Sequence, residues 1–364
     1  MKVKKPSKNK ILTIILSAAL VFTSIATLVG LIVFGRQIEE GREVAGAAAR
    51  EYKNWYVLIT EDSENAFWDS VYESMCEEGD KTDAYIEKFG DNLSQKYTKK
   101  EMMEIAIASG VDGIILEADD SEDMNSMVKK ASSAGIPVVT VLWDTTSRTR
   151  KSYIGPSNYN LGKEYANMIL RAAKNMRRRI ILNTGNSAAT DIDVLVLLDS
   201  DSAGTSQNII LTSMQDVLYA DDSLGTNITT STQLIETNNI FNSEESIRLL
   251  LQGRDRPVPD VIVCLSEVNT KNVLQALVDQ NKVGEVSVIG YYDSDSILKA
   301  IEKGIIYASA AVDTKQMGEY CVSALNEYKQ TGYVNEYYSV DFTMIDQTNV
   351  GKIIAGHEAN DEAD

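Results

Sequence analysis

"SYIGPSNYNLGKEYANMIL", residues 152–170, decides how the chain is organised. It reads as a strand, a Gly155-Pro156 break, a polar corner, and then a helix with Leu161, Tyr165, Met168 and Ile169 on one face. Upstream, short apolar runs alternate with helical patterns: "WYVLIT" (55–60), a helix over 66–78, "AYIEKFG" (84–90), a helix over 99–109, "VDGIILEA" (111–118), a helix over 121–134, and "IPVVTVLW" (136–143). The runs are apolar on both faces, as strands of a parallel sheet covered by helices on each side must be. One-sided stripes such as Trp68, Val71, Tyr72, Met75 and Met124, Met127, Val128, Ala131 give the helices a face for that sheet.

After the break the alternation starts afresh. A helix over 158–175 precedes "VLVLLDS" (194–200), a helix over 206–218, "TQLIET" (232–237), a helix over 243–252, "DVIVCLS" (260–266), a helix over 268–280, "VSVIGYYDS" (286–294), a helix to Lys303, and "IIYASAAV" (305–312). Two similar α/β units in tandem are expected. "KNMRRRIILNTGNSAATDID" (174–193) fits the alternation poorly and reads as a helix extension or an insertion. "EYYSVDFTMIDQTNV" (336–350) reads as a strand and a last crossing, and the acidic end "EANDEAD" (358–364) as disordered.

The first fifty residues differ in character. Ile11–Gly35 is 25 residues long and carries no charge, enough to cross a hydrocarbon core of about 30 Å. It is expected to be a transmembrane signal anchor, too long for the usual secretory signal, although the small residues of "AGAAAR" (45–50) leave cleavage open. Residues 1–10, with Lys2, Lys4, Lys5, Lys8 and Lys10, are then a cytoplasmic tail, 36–52 a helical stalk, and the rest extracellular.

Charge and residue counts exclude several chemistries. The chain has 53 acidic and 35 basic side chains, a net charge of −18, and that field repels phosphate backbones, so no nucleic-acid partner is expected. His357 is the single histidine, which excludes a Ser-His-Asp triad, a histidine base and most zinc sites. Neither a phosphate loop nor a G-x-G-x-x-G follows the first strand, where "ITEDSENAF" (59–67) stands instead. "DSDSAG" (199–204) begins like a calcium loop, but Ala203 and Ile210 occupy liganding places, so no metal or cofactor is expected. Carboxylates are plentiful without any pair being singled out, which leaves a carbohydrate enzyme as a rival by counting alone. Cys76, Cys264 and Cys321 give no disulfide framework and read as buried apolar thiols.

Four segments in this order, "AIASGVDGIIL" (106–116), "AGIPVVTV" (134–141), residues 152–170, and "VSVIGYYDSDSILKAIEKGIIYASAAVDTKQMGEYCVSAL" (286–325), resemble the sugar-binding members of the type 1 periplasmic binding proteins, the ribose- and galactose-binding kind. The resemblance covers about residues 53–350. It implies two Rossmann-like three-layer α/β/α lobes joined by three crossing strands, near 156–158, Val312 and Val340. Lobe 1 would comprise 53–157 and 313–339, lobe 2 158–312 and 340–354, and 355–364 a tail. It also implies a small-molecule ligand, most naturally a sugar, no catalysis, and delivery either to an ABC permease or to a histidine kinase.

By position, Asn65, Phe67 and Trp68 match the family's asparagine and aromatic pair, Glu117 stands where a polar contact follows the third strand, and Tyr292 or Asp293 matches its aspartate. Packing of helix one is the competing role for Phe67 and Trp68, and helix capping, shared with Ser294, for Asp293. Elsewhere the chain departs from the pattern. Leu142-Trp143 and then Asp144 replace Asp-Arg, Asn208 replaces a second-lobe arginine, Ser266-Glu267 replaces Asn-Asp, and Val312 replaces a glutamine. Both arginines that would fork onto sugar oxygens are thus missing from their places. A different sugar, a less polar or cationic solute, or a ligand-free scaffold all remain open on these residues.

Overall fold

The computed structural model describes residues 52–60, 65–90, 97–184, 191–200, 204–221, 227–236, 240–254 and 256–361. Contacts divide the chain into Met1–Tyr52 and Lys53–Asp364. The expected tail, membrane span and most of the stalk, residues 1–51, lie outside the described residues, as do 201–203 of "DSDSAG". Among the described residues no helix is long and apolar enough to cross a membrane.

Two six-stranded sheets account for the fold. The first contains β1 (Asn54–Ile59), β2 (Ala84–Lys88), β3 (Gly113–Leu116), β4 (Val138–Val141), β5 (Ser152–Pro156) and β11 (Tyr337–Val340), in the order β11-β5-β4-β3-β1-β2, all parallel. The second contains β6 (Ile192–Asp199), β7 (Ile228–Ile235), β8 (Val261–Cys264), β9 (Ser287–Tyr291), β10 (Ala308–Val312) and β12 (Phe342–Asp346), in the order β12-β10-β9-β8-β6-β7. Only its β10–β12 pair is antiparallel.

Strand alternation builds the layers. Tyr56 and Leu58 of β1 pack with helices α1 (Ala66–Lys81) and α9 (Thr314–Thr331), whereas Val57 and Ile59 pack with α2 (Lys99–Ser109) and α3 (Glu122–Ser133). In the second sheet Val194 and Val196 join the cluster of α4 (Asn158–Thr184) and α5 (Thr205–Ala220), and Leu195 and Leu197 that of α6 (Ile240–Gln252), α7 (Glu267–Asp279) and α8 (Asp295–Glu302). The two helix pairs approach closely for the same reason. A Cβ on Gly318 of α9 would lie 2.6 Å from the Val71 carbonyl of α1, and one on Gly162 of α4 would lie 2.3 Å from that of Ile210 on α5.

The chain passes between sheets three times: from β5 to α4 at Ser157, from β10 to α9 at Asp313, and from β11 to β12 at Asp341. The last two passages are tied together, since Asp313 N–H donates to the Asp341 carbonyl at 2.9 Å and Asp341 N–H to Gln316 Oε1 at 2.6 Å.

One local alternative is settled and two local expectations need correction. Lys174–Thr184 continues α4, so the poorly fitting segment begins as a helix extension. β7 starts at Ile228, earlier than "TQLIET", because this edge strand is polar along most of its length. The end of the chain is helical as far as Asp361: α10 (Val350–Asp361) packs Val350, Ile353 and Ile354 against the cluster that holds α8. Cys264 and Cys321 are buried and their thiols pushed up by that burial, while Cys76 is half-buried.

Candidate functional site: the groove between the two sheets

The C-terminal ends of the strands of both sheets meet across one groove, where open parallel sheets ordinarily bind ligands. Asn65 opens α1 as its N-cap, its side chain accepting from Trp68 N–H at 3.0 Å. Phe67 and Trp68 are each 3% exposed and meet edge to face at 5.1 Å. Phe67 also meets Tyr292 edge to face at 5.3 Å and Tyr291 at 6.0 Å, so aromatic rings from both sheets fill this part of the groove. Their role is therefore wider than packing helix one onto its own sheet.

Polar contacts cross at the same place. Phe67 N–H donates to Glu267 Oε2 at 3.2 Å, and the Tyr292 hydroxyl donates to the Ala66 carbonyl at 3.3 Å. Buried Glu267 is neutralised by Lys271, 2.7 Å away. Thr205 N–H, at the start of α5, donates to Asp120 Oδ2 at 2.6 Å. Burial pushes the Tyr292 hydroxyl up to about 12.

Two residues facing the groove carry left-handed backbone that non-glycine residues seldom adopt: Leu142 after β4 (φ 64°) and Tyr292 after β9 (φ 74°). Each strained carbonyl is held, that of Leu142 by the Tyr153 hydroxyl at 2.9 Å and that of Tyr292 by the Ser309 hydroxyl at 2.5 Å. Trp143 is buried beyond the first corner. Asp144 accepts from Thr140 at 2.7 Å and from Arg150 Nη2 at 2.7 Å, and Arg150 Nε stands 2.6 Å from its Oδ1 as an ion pair.

Beyond the second corner, Asp293 is mostly buried. Burial raises its carboxyl, His357 of α10 at 3.5 Å pulls it back down, and Glu267 and Asp313 raise it further. The N-cap of α8 is Ser294, so Asp293 is not the capping residue. Glu117 is buried at the end of β3. Ser266 caps α7 and donates to Asp199 at 3.2 Å. Asn208 is exposed on α5 and does not enter the groove lining.

Toward the hinge the groove opens into a cavity of about 370 Å³ whose walls include Asp120, Asp144, Arg150, Asn158, Tyr159 and Thr205. Of these, Asp144 is one of the expected binding residues. Arg150 lies six residues beyond it in the β4–β5 loop, where no periodic signal points to it.

A family model described as "Periplasmic binding protein domain" matches residues 56–332. The chain belongs to that family. A glucose-galactose binding protein from Geobacillus stearothermophilus is 18% identical, with 82% of this chain and 99% of that chain covered and a TM-score of 0.65. A carbohydrate transporter solute binding protein from Agrobacterium radiobacter, in complex with D-arabinose, is 16% identical, with 85% and 99% covered and a TM-score of 0.67. The XylFII–LytSN complex contains a chain 19% identical, with 81% and 98% covered and a TM-score of 0.61. At these identities the likeness is one of fold. No curated protein matches the chain.

Proposed function

We propose that this protein is a sugar-binding receptor of the cell surface that closes its two lobes on a small polar solute and performs no chemistry on it. The observation carrying this reading is the groove: two α/β sheets joined by three crossings, with ring and carboxylate contacts from both sheets at Phe67 and a cavity beside the first crossing. Flat rings suit the C–H faces of a sugar, and carboxylates and amides suit its hydroxyls. A solute touching both lobes stabilises the closed form by its differential affinity for it, and a three-strand hinge needs only a few torsions to follow. Structural relatives crystallised with D-arabinose and D-fucose support the solute class.

Ile11–Gly35 anchors the receptor, with Lys53–Asp364 outside the cell. A tethered receptor serves a neighbouring histidine kinase, for which the XylFII–LytSN complex is the supporting relative, or an ABC importer, for which the transporter solute-binding relatives speak. Co-purification of the full chain from membranes distinguishes these: a kinase or a permease comes with it.

The first test is a thermal-shift series with neutral pentoses, hexoses and alditols. A binder at a hundredfold excess over Kd gains about 2.7 kcal/mol of stability. An unchanged Tm with every sugar, together with an unchanged scattering envelope, would remove the receptor reading; turnover of a glycoside would replace it with the enzyme.

A further inference from the structure

Each sheet ends in two edge strands, and three of the four are blunted. β11 is four residues long, β12 is five with Asp346 at its end, and β2 is five with Glu87 and Lys88 in it. Short and charged edges are the usual protection against pairing with another chain. β7 has neither device: Ile228–Ile235, "ITTSTQLI", is eight residues with no charge and no proline. We infer that this edge pairs antiparallel with the same edge of a second copy, joining two six-stranded sheets into one across a twofold axis. The inference is independent of the receptor reading and of the groove.

The backbone is set up for such a pair. Ile192 N–H donates to the Asn227 carbonyl and Ser200 N–H to that of Ile235, both at 2.9 Å, so the odd-numbered residues of β7 are the ones that face β6. The even-numbered ones, Ile228, Thr230, Thr232 and Leu234, turn their N–H and C=O groups outward. Among the described residues no strand pairs with that side, and the one protein partner any of these groups has is the Gln233 side-chain amide, which donates to the Leu234 carbonyl at 3.1 Å. With pairing centred on Ser231, Ile228 of each copy stands opposite Leu234 of the other and Thr230 opposite Thr232, and every outward group meets its complement.

Side chains favour the antiparallel sense. Ile228 packs on the cluster of α4 and α5, and Thr230 Oγ1 accepts from Gln215 Nε2 of α5 at 2.8 Å, so the even-numbered side chains face α5. Two large apolar side chains stay exposed on this face. Leu234, 55% exposed, is at the end of the strand; Tyr219, 67% exposed, is one helical turn beyond Gln215 and so lies beside the start of the strand, because α5 runs opposite to β7. From Ile228 to Leu234 the strand spans about 20 Å, so the two cannot meet within one copy. An antiparallel pair brings Leu234 of each copy onto Ile228 and Tyr219 of the other, and covers both patches twice.

Charge selects the same edge. With a net charge of −18, two copies repel over most of their surface, and an uncharged strand is where they approach at least cost. One strand and two small apolar patches make a modest interface, so the dimer should be reversible and its population should depend on concentration.

Light scattering of the full chain in detergent, corrected for bound detergent and run over a concentration series, tests this. The wild type should rise from one copy to two and stop there, since each chain has one such edge. Thr232→Pro removes an outward N–H and leaves the β6 ladder intact, and it should abolish the dimer; Thr232→Ala, which keeps that N–H, should stay within about threefold of the wild type. Leu234→Lys changes only an exposed side chain and acts twice in a twofold pair, so it should raise the dimer Kd about 30-fold, and it serves as the test should the proline variant fail to fold. Circular dichroism checks the fold of both. A wild type that stays a single copy at every concentration would overturn the proposal and leave the edge to a strand of another protein. A dimer that survives both Thr232→Pro and Leu234→Lys would place the contact elsewhere and overturn it as well. Mass rising past two copies would overturn the closed twofold pair.

Discussion

Leu142 and Tyr292 occupy equivalent corners of the two sheets, each with positive φ, each with its carbonyl pinned by a hydroxyl, and each followed within two residues by an aspartate. The fates of those aspartates differ. Asp144 has a cation of its own sheet paired with it, whereas Asp293 lies among Glu267 and Asp313, with His357 of the last helix lowering its carboxyl against them. One corner is electrostatically finished before any ligand arrives; the other holds a carboxylate at a cost. Backbone geometry is thus shared between the lobes while charge compensation is not, and the hinge-side cavity lies beside the finished corner.

Breaking the finished corner should have the largest effect. Arg150→Met leaves Asp144 mostly buried without its partner, and we expect a loss of about 2 kcal/mol in urea unfolding. Asp144→Asn in the same chain should recover more than half of it, because the charge left behind is what costs. Independent, additive losses would mean that the pair is not coupled. Removing the other corner's pin should cost less: Ser309→Ala frees the Tyr292 carbonyl in a buried setting, for about 1 kcal/mol. An unchanged midpoint would show that the φ of Tyr292 needs no such support.

The sequence carried the fold where burial is two-sided. β3, β4 and β8 are four-residue runs such as "GIIL" and "VVTV", buried throughout, and only a covered parallel sheet uses such runs. It was illegible where elements are half wet. β7 is polar because it is an edge; α10 is recognisable only through Val350, Ile353 and Ile354, three contacts in an otherwise polar segment. At the groove, Asn65, Phe67 and Trp68 are proposed from the family resemblance, by their position after the first strand. Arg150 had no such pointer, since a loop position is set by what it reaches across the fold and not by any period. On α5, Asn208 is exposed and falls between buried Gln207 and Ile209 of the cavity wall.

The unfinished corner gives the smallest and most diagnostic effect. Burial first, then Glu267 and Asp313, raise the Asp293 carboxyl above the ordinary range, so its neutral form is the one the fold prefers. For an acid shifted upward, the fold loses stability as pH rises from the ordinary carboxylate range through the raised value, and the loss is complete above it. Asp293→Asn should therefore flatten that part of the stability–pH curve and raise Tm near pH 7 by about 2 °C. His357→Ala should act in the opposite direction, because His357 is the neighbour that lowers the Asp293 carboxyl. Equal pH profiles for wild type and Asp293→Asn would show that the two corners are electrostatically alike, and the contrast between them would fail.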